Sequence, residues 1–295
     1  LALDMRIFSL RKDTRRAILG AYAFINSDLR VRLGNIMVAK LNFSDIAWRS
    51  EIGLQRQGNE DSALVSQSLL AVADGMGGYV GGEIASKTVI EKLIQLLPTL
   101  ENPELDDESR EDLLSSSIES MDRAIAEIGA ARPELVGMGT TLTSIALFDS
   151  HLLLLHLGDS RAYRLRGKKI EQLSHDHTVV QELIDQGRLS PDEIADHPQR
   201  SFLTQALMGK ENLSPVLLAY PVLKGDRYLL CSDGLTAVLD EAQIAKAMQQ
   251  DLTSAVNSLI ELTYKAGAPD NVTVIVAEVG ESKANIKTQG FGAAI

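Results

Sequence analysis

Carboxylates recur at the ends of apolar runs in this chain. Residues 69–73 lead into Asp74-Gly75, residues 151–157 into Gly158-Asp159, and residues 228–231 into Ser232-Asp233-Gly234. Asp270-Asn271 comes just before the apolar run 272–279, and Asn59-Glu60-Asp61 lies between two further strand-like runs. Acids placed repeatedly at strand ends gather at one edge of a sheet structure. Carboxylates packed together repel and raise each other's pKa, so such a cluster calls for cations. Oxygen-only ligands suit Mg2+ or Mn2+ rather than zinc. The five histidines agree, since none forms a metal-like pair on a helix. Two divalent ions about 3.5–4 Å apart can activate a water and clamp phosphoryl oxygens. The remaining phosphate charge needs a positive group, and Arg56, five residues before Asp61, is placed to supply it. Singly, each element has an ordinary reading: a surface arginine, a polar loop, a turn with an ion pair. Their order and shared strand-end placement argue for a common site.

The elements that must hold these residues follow from periodicity. Residues 46–53 alternate weakly as a first strand, and 63–73 read as strand, turn at 66–68, strand. After the glycine-rich turn Gly75, Gly77, Gly78, Gly81, Gly82, a helix is expected from Glu83, with Ala85, Val89, Leu93 and Leu96 on one face and Pro98 ending it. A second amphipathic helix carries Leu114, Ile118, Met121, Ile125 and Ile128. Strands follow over 140–148, 151–157 and 162–165, with a hairpin turn at Asp149-Ser150. Residues 175–210 are polar and irregular with a helical piece at 179–186, as a surface insertion would be. A strand at 228–231, helices at 241–249 and 253–266 and a closing strand at 272–279 complete the order. Short-spaced strands argue for antiparallel sheets. The expected class is α+β, a four-layer α-β-β-α sandwich of two antiparallel sheets between two pairs of antiparallel helices.

Bulk properties set limits. The chain has 295 residues, 45% hydrophobic and 23% charged, enough for one large domain or two small ones with a real core. A net charge of −11 argues against nucleic acid as a partner. The single cysteine, Cys231, rules out an internal disulfide and reads as a core thiol, consistent with a reducing, cytoplasmic setting. Residues 1–49 carry nine Lys/Arg against four Asp/Glu, so 1–43 read as a basic extension; 281–295 read as a flexible tail. No run is long enough to span a bilayer.

Seven segments, in order over residues 44–280, resemble the metal-dependent serine/threonine protein phosphatases of the PPM, or type 2C, family, bacterial group. They are GLQRQGNEDS (53–62), VADGMGGYVGGEIAS (72–86), GMGTTL (137–142), HLGDSRAYRLR (156–166), HPQRSFLTQALMG (197–209), GDRYLLCSDGL (225–235) and PDNVTVIV (269–276). The resemblance implies a catalytic domain over 44–280 that hydrolyses phosphoserine or phosphothreonine in proteins through a metal-bridged water, reversing a serine/threonine kinase. It implies that Asp74 bridges two Mn2+ or Mg2+ ions, that the Gly75 carbonyl holds one, and that Asp233 and Asp270 hold the other. Asp159 with Asp233 resembles a third-ion site, Glu60, Asp61 and Asn271 act through water, and Arg56 binds the phosphate. Residues 175–210 correspond to the family's flap. A monomer is expected. Many eukaryotic members carry a general-acid histidine after Asp-Gly; here Met76 stands there, and Met cannot donate a proton. His175 and His177 are conceivable substitutes but read more simply as loop histidines. Two rival readings are a small-molecule phosphomonoesterase and a non-catalytic binding module that has lost its chemistry. A third gives the basic segment an adaptor role at an anionic surface.

Overall fold

The computed structural model describes residues 40–294 other than 79, 149, 150, 195, 196, 211 and 212. The compact unit begins at Lys40. The basic extension up to residue 39, and the hairpin turn at Asp149-Ser150, lie outside the described residues. In chain order the strands are β1 (Asn42–Glu51), β2 (Ser62–Val65), β3 (Leu69–Ala73), β4 (Gly75–Met76), β5 (Gly139–Thr140), β6 (Leu142–Phe148), β7 (His151–Leu157), β8 (Arg161–Arg166), β9 (Lys169–Gln172), β10 (Val216–Pro221), β11 (Arg227–Cys231), β12 (Val272–Gly280) and β13 (Gln289–Gly292). The helices are α1 (Gly81–Leu100), α2 (Asp107–Ala131), α3 (Val179–Asp185), α4 (Asp233–Thr236), α5 (Glu241–Met248) and α6 (Leu252–Lys265).

Every strand pairing is antiparallel. One sheet has the order β1-β12-β11-β8-β9 and the other β10-β7-β6-β3-β2-β13, with a separate two-stranded ribbon β4-β5. Continuous burial along β2, β3 and β6 shows why these strands read as apolar runs rather than alternating ones: both faces are covered. One face of the larger sheet packs on α1 and α2 through Leu69, Val89, Leu93, Leu114 and Ile118. Its other face meets the smaller sheet through Val65, Leu70, Ile145, Tyr228 and Ile275. The smaller sheet's outer face packs on α5 and α6 through Leu229, Ile244, Val256 and Leu259. The expected four-layer sandwich is therefore present.

Three boundaries differ from expectation. Pro98 sits inside α1, which continues to Leu100. A proline this close to a helix end removes one backbone bond, and burial of Leu97 and Leu100 outweighs that loss. The region read as extension to residue 43 overlaps β1, whose Phe43 is fully buried between the sheets. The tail from residue 281 is not wholly flexible either. Residues 289–292 form β13 on the edge of β2, with Phe291 buried against the intersheet core and 6.1 Å from the Trp48 ring. The Ala293 N–H donates to the Asp61 carbonyl at 2.7 Å, so the tail braces the residue that precedes β2. β10 is a further strand without an expectation behind it; it is a half-buried edge strand closing on Pro221.

Phe291→Ala should cost about 3 kcal/mol, at the low end for core aromatics because it lies on an edge strand. Urea denaturation measures the loss, and hydrogen exchange should quicken at residues 62–65. A variant within 0.5 kcal/mol of the parent would show that β13 contributes nothing to the fold.

Candidate active site

Strand register alone carries the acids to one end of the sandwich. β2 pairs with β3 through Ser62 and Ala73, so one step further sets Asp61 opposite Asp74. β8 pairs with β11 through Arg161 and Cys231, so two steps further set Asp159 opposite Asp233. β12 lies beside β11 and begins at Val272, leaving Asp270 and Asn271 at the same end. Asp74, Asp159, Asp233 and Asp270 are brought together there, with Glu60 and Asp61 beside them.

Hydroxyls and amides hold the backbone that carries these acids. The Asp74 N–H donates to Thr141 Oγ1 at 3.0 Å, and its carbonyl accepts from the Thr141 N–H and the Thr140 hydroxyl, both at 2.9 Å. Thr141 Oγ1 also meets Ser160 Oγ at 2.8 Å, next to Asp159. On the other sheet the Ser232 hydroxyl donates to Asp61 Oδ2 at 2.7 Å and accepts from the Thr273 N–H at 2.9 Å. Thr141 and Ser232 were not among the expected site residues. The signal that bears on them is their place in or beside the same segments as the acids.

Asn271, expected to act through water, spends its side chain on backbone. Its amide donates to the carbonyls of Ile52 and Gly58, at 2.9 and 2.8 Å, and its oxygen accepts from the Glu60 N–H at 2.9 Å. It shapes the loop that presents Arg56. Two glycines are dictated by crowding. A Cβ on Gly75 would stand 2.2 Å from the Gly82 carbonyl oxygen, and one on Gly234 would stand 1.9 Å from that of Asn271.

Asp74, Asp159 and Asp233 keep some surface, yet protein encloses them closely enough for desolvation to dominate their titration. Burial, then the charges of Asp61, Asp233, Asp159 and Asp270, push Asp74 well above the carboxylate range. Burial and then Asp233 and Asp176 raise Asp159 to about 8. Asp61 is raised to about 7 by burial, against hydrogen bonds from Thr273 and Ser232. Burial and then Asp270 raise Asp233, which shares a hydrogen bond with Asp74 that opposes the rise. Glu60 is raised by burial and held back by Arg56. Arg56 stands at the rim, with Nη2 2.5 Å from Asp270 Oδ2.

This donor set fits hard divalent cations. Its atoms are oxygens, its charges repel, and Asp61 Oδ1 is buried with no hydrogen-bond partner. Among the described residues no three His, Cys, Asp or Glu side chains form a ready-made cage. The histidines are occupied elsewhere. His175 Nε2 lies 2.7 Å from Asp185, and His177 Nδ1 accepts from the Gly158 N–H at 3.1 Å. Cys231 is buried, which pushes its thiol up to about 12 and leaves it inert.

Comparison with known proteins places this arrangement. The sequence profile of the family described as protein phosphatase 2C matches residues 55–260. The serine/threonine protein phosphatase PstP of Mycobacterium tuberculosis is 45% identical over 237 residues, covering 79% of this chain and 44% of PstP. The chain thus matches less than half of that relative's length. Protein phosphatase PhpP of Streptococcus pneumoniae is 31% identical over 250 residues, covering 81% of this chain and 99% of PhpP. The crystal structure of the M. tuberculosis phosphatase superposes with a TM-score of 0.75 at 42% identity, covering 81% of this chain and 98% of that one. The PstP catalytic domain in complex with two manganese ions gives 0.74 at 41% identity, covering 81% and 99%. With a matched profile across most of its length, relatives aligned over four-fifths of it and the same sandwich, the chain belongs to the protein phosphatase 2C family.

Proposed function

We propose that this chain hydrolyses phosphoserine and phosphothreonine in proteins, with Mn2+ or Mg2+ as cofactor, and reverses the action of a serine/threonine kinase. The observation that carries the reading is one exposed arginine, Arg56, bonded to a member of a set of mutually repelling carboxylates gathered at one end of the sandwich. Asp74, the Gly75 carbonyl, Asp233 and Asp270 would hold two ions, and Asp159 with Asp233 a third. Glu60 and Asp61 support them from behind. When bound, such ions supply Lewis acidity toward water and phosphoryl oxygen.

The chain's own contribution is placement and charge. Arg56 exchanges its bond to Asp270 for the phosphoryl oxygens, a pairing its planar fork suits. The Thr140–Thr141 clamp and the Ser232 hydroxyl keep the acids from swinging apart. Met76 offers no proton and His177 Nδ1 already accepts a hydrogen bond, so the reading assigns the leaving alkoxide's proton to solvent water. Proteins rather than small phosphoesters are the substrates assigned, in line with relatives named as protein phosphatases. Among the described residues no helix is long and apolar enough to cross a membrane, and the chain is taken to act as a monomer.

Asp233→Asn should lower phosphopeptide turnover on the order of 100-fold or more, beyond the loss typical of residues behind a metal ligand. Near-parental turnover of this variant at saturating Mn2+ would refute the ligand assignment. Arg56→Ala should cost about 10- to 100-fold in kcat/KM, the worth of a charged hydrogen bond to phosphate. A phosphopeptide assay with an unchanged kcat/KM would remove Arg56 from the phosphate role. The raised acids also fix a sign. A carboxylate whose folded pKa exceeds its unfolded value loses stability as pH rises through the folded value. Chelated protein should therefore melt lower as pH climbs from about 4 through the values near 7 and 8 of Asp61 and Asp159. Added Mn2+ should flatten that dependence; parallel melting curves with and without the ion would contradict it.

A further inference from the structure

The cleft beside Arg56 extends past the phosphate-binding guanidinium. It offers about 410 Å3, lined by Arg56 and Glu60 from the loop before β2 and by Gly77, Val80 and Glu83 from the turn and first helical residues that follow β4. That volume lies in the ~300–1,000 Å3 range of ligand clefts, so it has room for a side chain next to a bound phosphate. Val80 is 47% exposed and offers an apolar wall. Glu83 is exposed in the first turn of α1. Its charge repels that of Glu60, which Arg56 partly offsets. None of the ion pairs found between described residues includes Glu83. The cleft is thus bipolar, positive at Arg56 and negative at Glu83. A substrate that places its phosphate at the positive end is left facing a carboxylate at the other.

Resting on the phosphatase reading above, we propose that this half of the cleft takes a cationic side chain flanking the phosphorylated residue. The favoured substrates are phosphopeptides with Arg or Lys beside the phosphoserine or phosphothreonine, and acidic flanks are disfavoured. Glu83 is the residue that reads the flank, Glu60 adds to the field, and Val80 packs on the aliphatic stem of the incoming residue. The competing role for Glu83 is local: an acid in a first helical turn complements the helix dipole. That role acts on all substrates alike and leaves their ratio unmoved.

The test uses the full chain with Mn2+ and two phosphothreonine peptides, identical except for arginines or glutamates flanking the phosphothreonine. The parental protein should favour the arginine peptide in kcat/KM. Each exposed charge pair is worth about two- to five-fold at low salt, so Glu83→Gln should shrink the ratio by about that factor. Glu83→Lys should shrink it further or invert it, and added salt should shrink the parental ratio through screening. A parental ratio of one, or a Glu83→Gln variant that slows on both peptides while keeping the ratio, overturns the inference and leaves the phosphatase reading standing. No turnover on either peptide overturns the phosphatase reading, and the inference with it.

Discussion

Repulsion among carboxylates at one end of an apolar sandwich is the constraint on which this structure turns. Burial raises Asp61, Asp74, Asp159 and Asp233, and their neighbours' charges raise them further. A chain assembled only for stability would exchange them for apolar residues, since unpaired buried charge is costly. The cost is tolerable because it is confined to strand ends. Behind the acids, β2, β3, β6 and β11 run almost wholly buried into the sheets and the helix layers. The apolar layers supply the folding free energy that the site spends.

Repelling groups also have to be kept from drifting apart, and short polar side chains do this. Asp74 is gripped at both its backbone N–H and its carbonyl by Thr140 and Thr141, and Thr141 reaches on to Ser160, just before β8 of the other sheet. Ser232 ties Asp61 to the Thr273 backbone, again across the two sheets. Each such bond contributes about 1 kcal/mol net. Their larger effect is positional, because a strand-end residue fixed on both backbone groups directs its side chain one way. The two sheets are thereby pinned together at the end where the acids would otherwise push them apart.

The parts of this design that were legible in the sequence are those with a local signature. Asp74-Gly75, Asp159 and Asp233 each end an apolar run, and burial on both faces makes such a run continuous. The clamps were not legible because their partners are remote: Thr141 lies 67 residues from Asp74, and Ser232 lies 171 from Asp61. Asn271 reads like one more polar neighbour of a metal ligand. Only the fold shows that it closes the loop 52–60 by three backbone bonds. β13 was missed for another reason. Gln-Gly-Phe-Gly carries a single apolar side chain, too few for any period, and its order comes from Phe291 entering the intersheet core.

The histidines connect these constraints to the chemistry. His177 grips Gly158 twice: its N–H donates to the Gly158 carbonyl at 2.8 Å and its Nδ1 accepts from the Gly158 N–H at 3.1 Å. Its own carbonyl accepts from the Thr204 N–H at 2.8 Å, so His177 links residue 204 to the residue before Asp159. Its ring stacks 4.9 Å from that of His156, which burial drives down to about 3; burial lowers His177 as well. An Nδ1 that accepts a hydrogen bond belongs to a neutral ring, and a protonated His177 would lose that bond to Gly158. A general acid needs the opposite, a proton held until the leaving group takes it and a pKa near the working pH. The bonds that tie His177 to Gly158 therefore disqualify it as the acid. Met76 cannot donate a proton either, so neither residue can serve as a general acid.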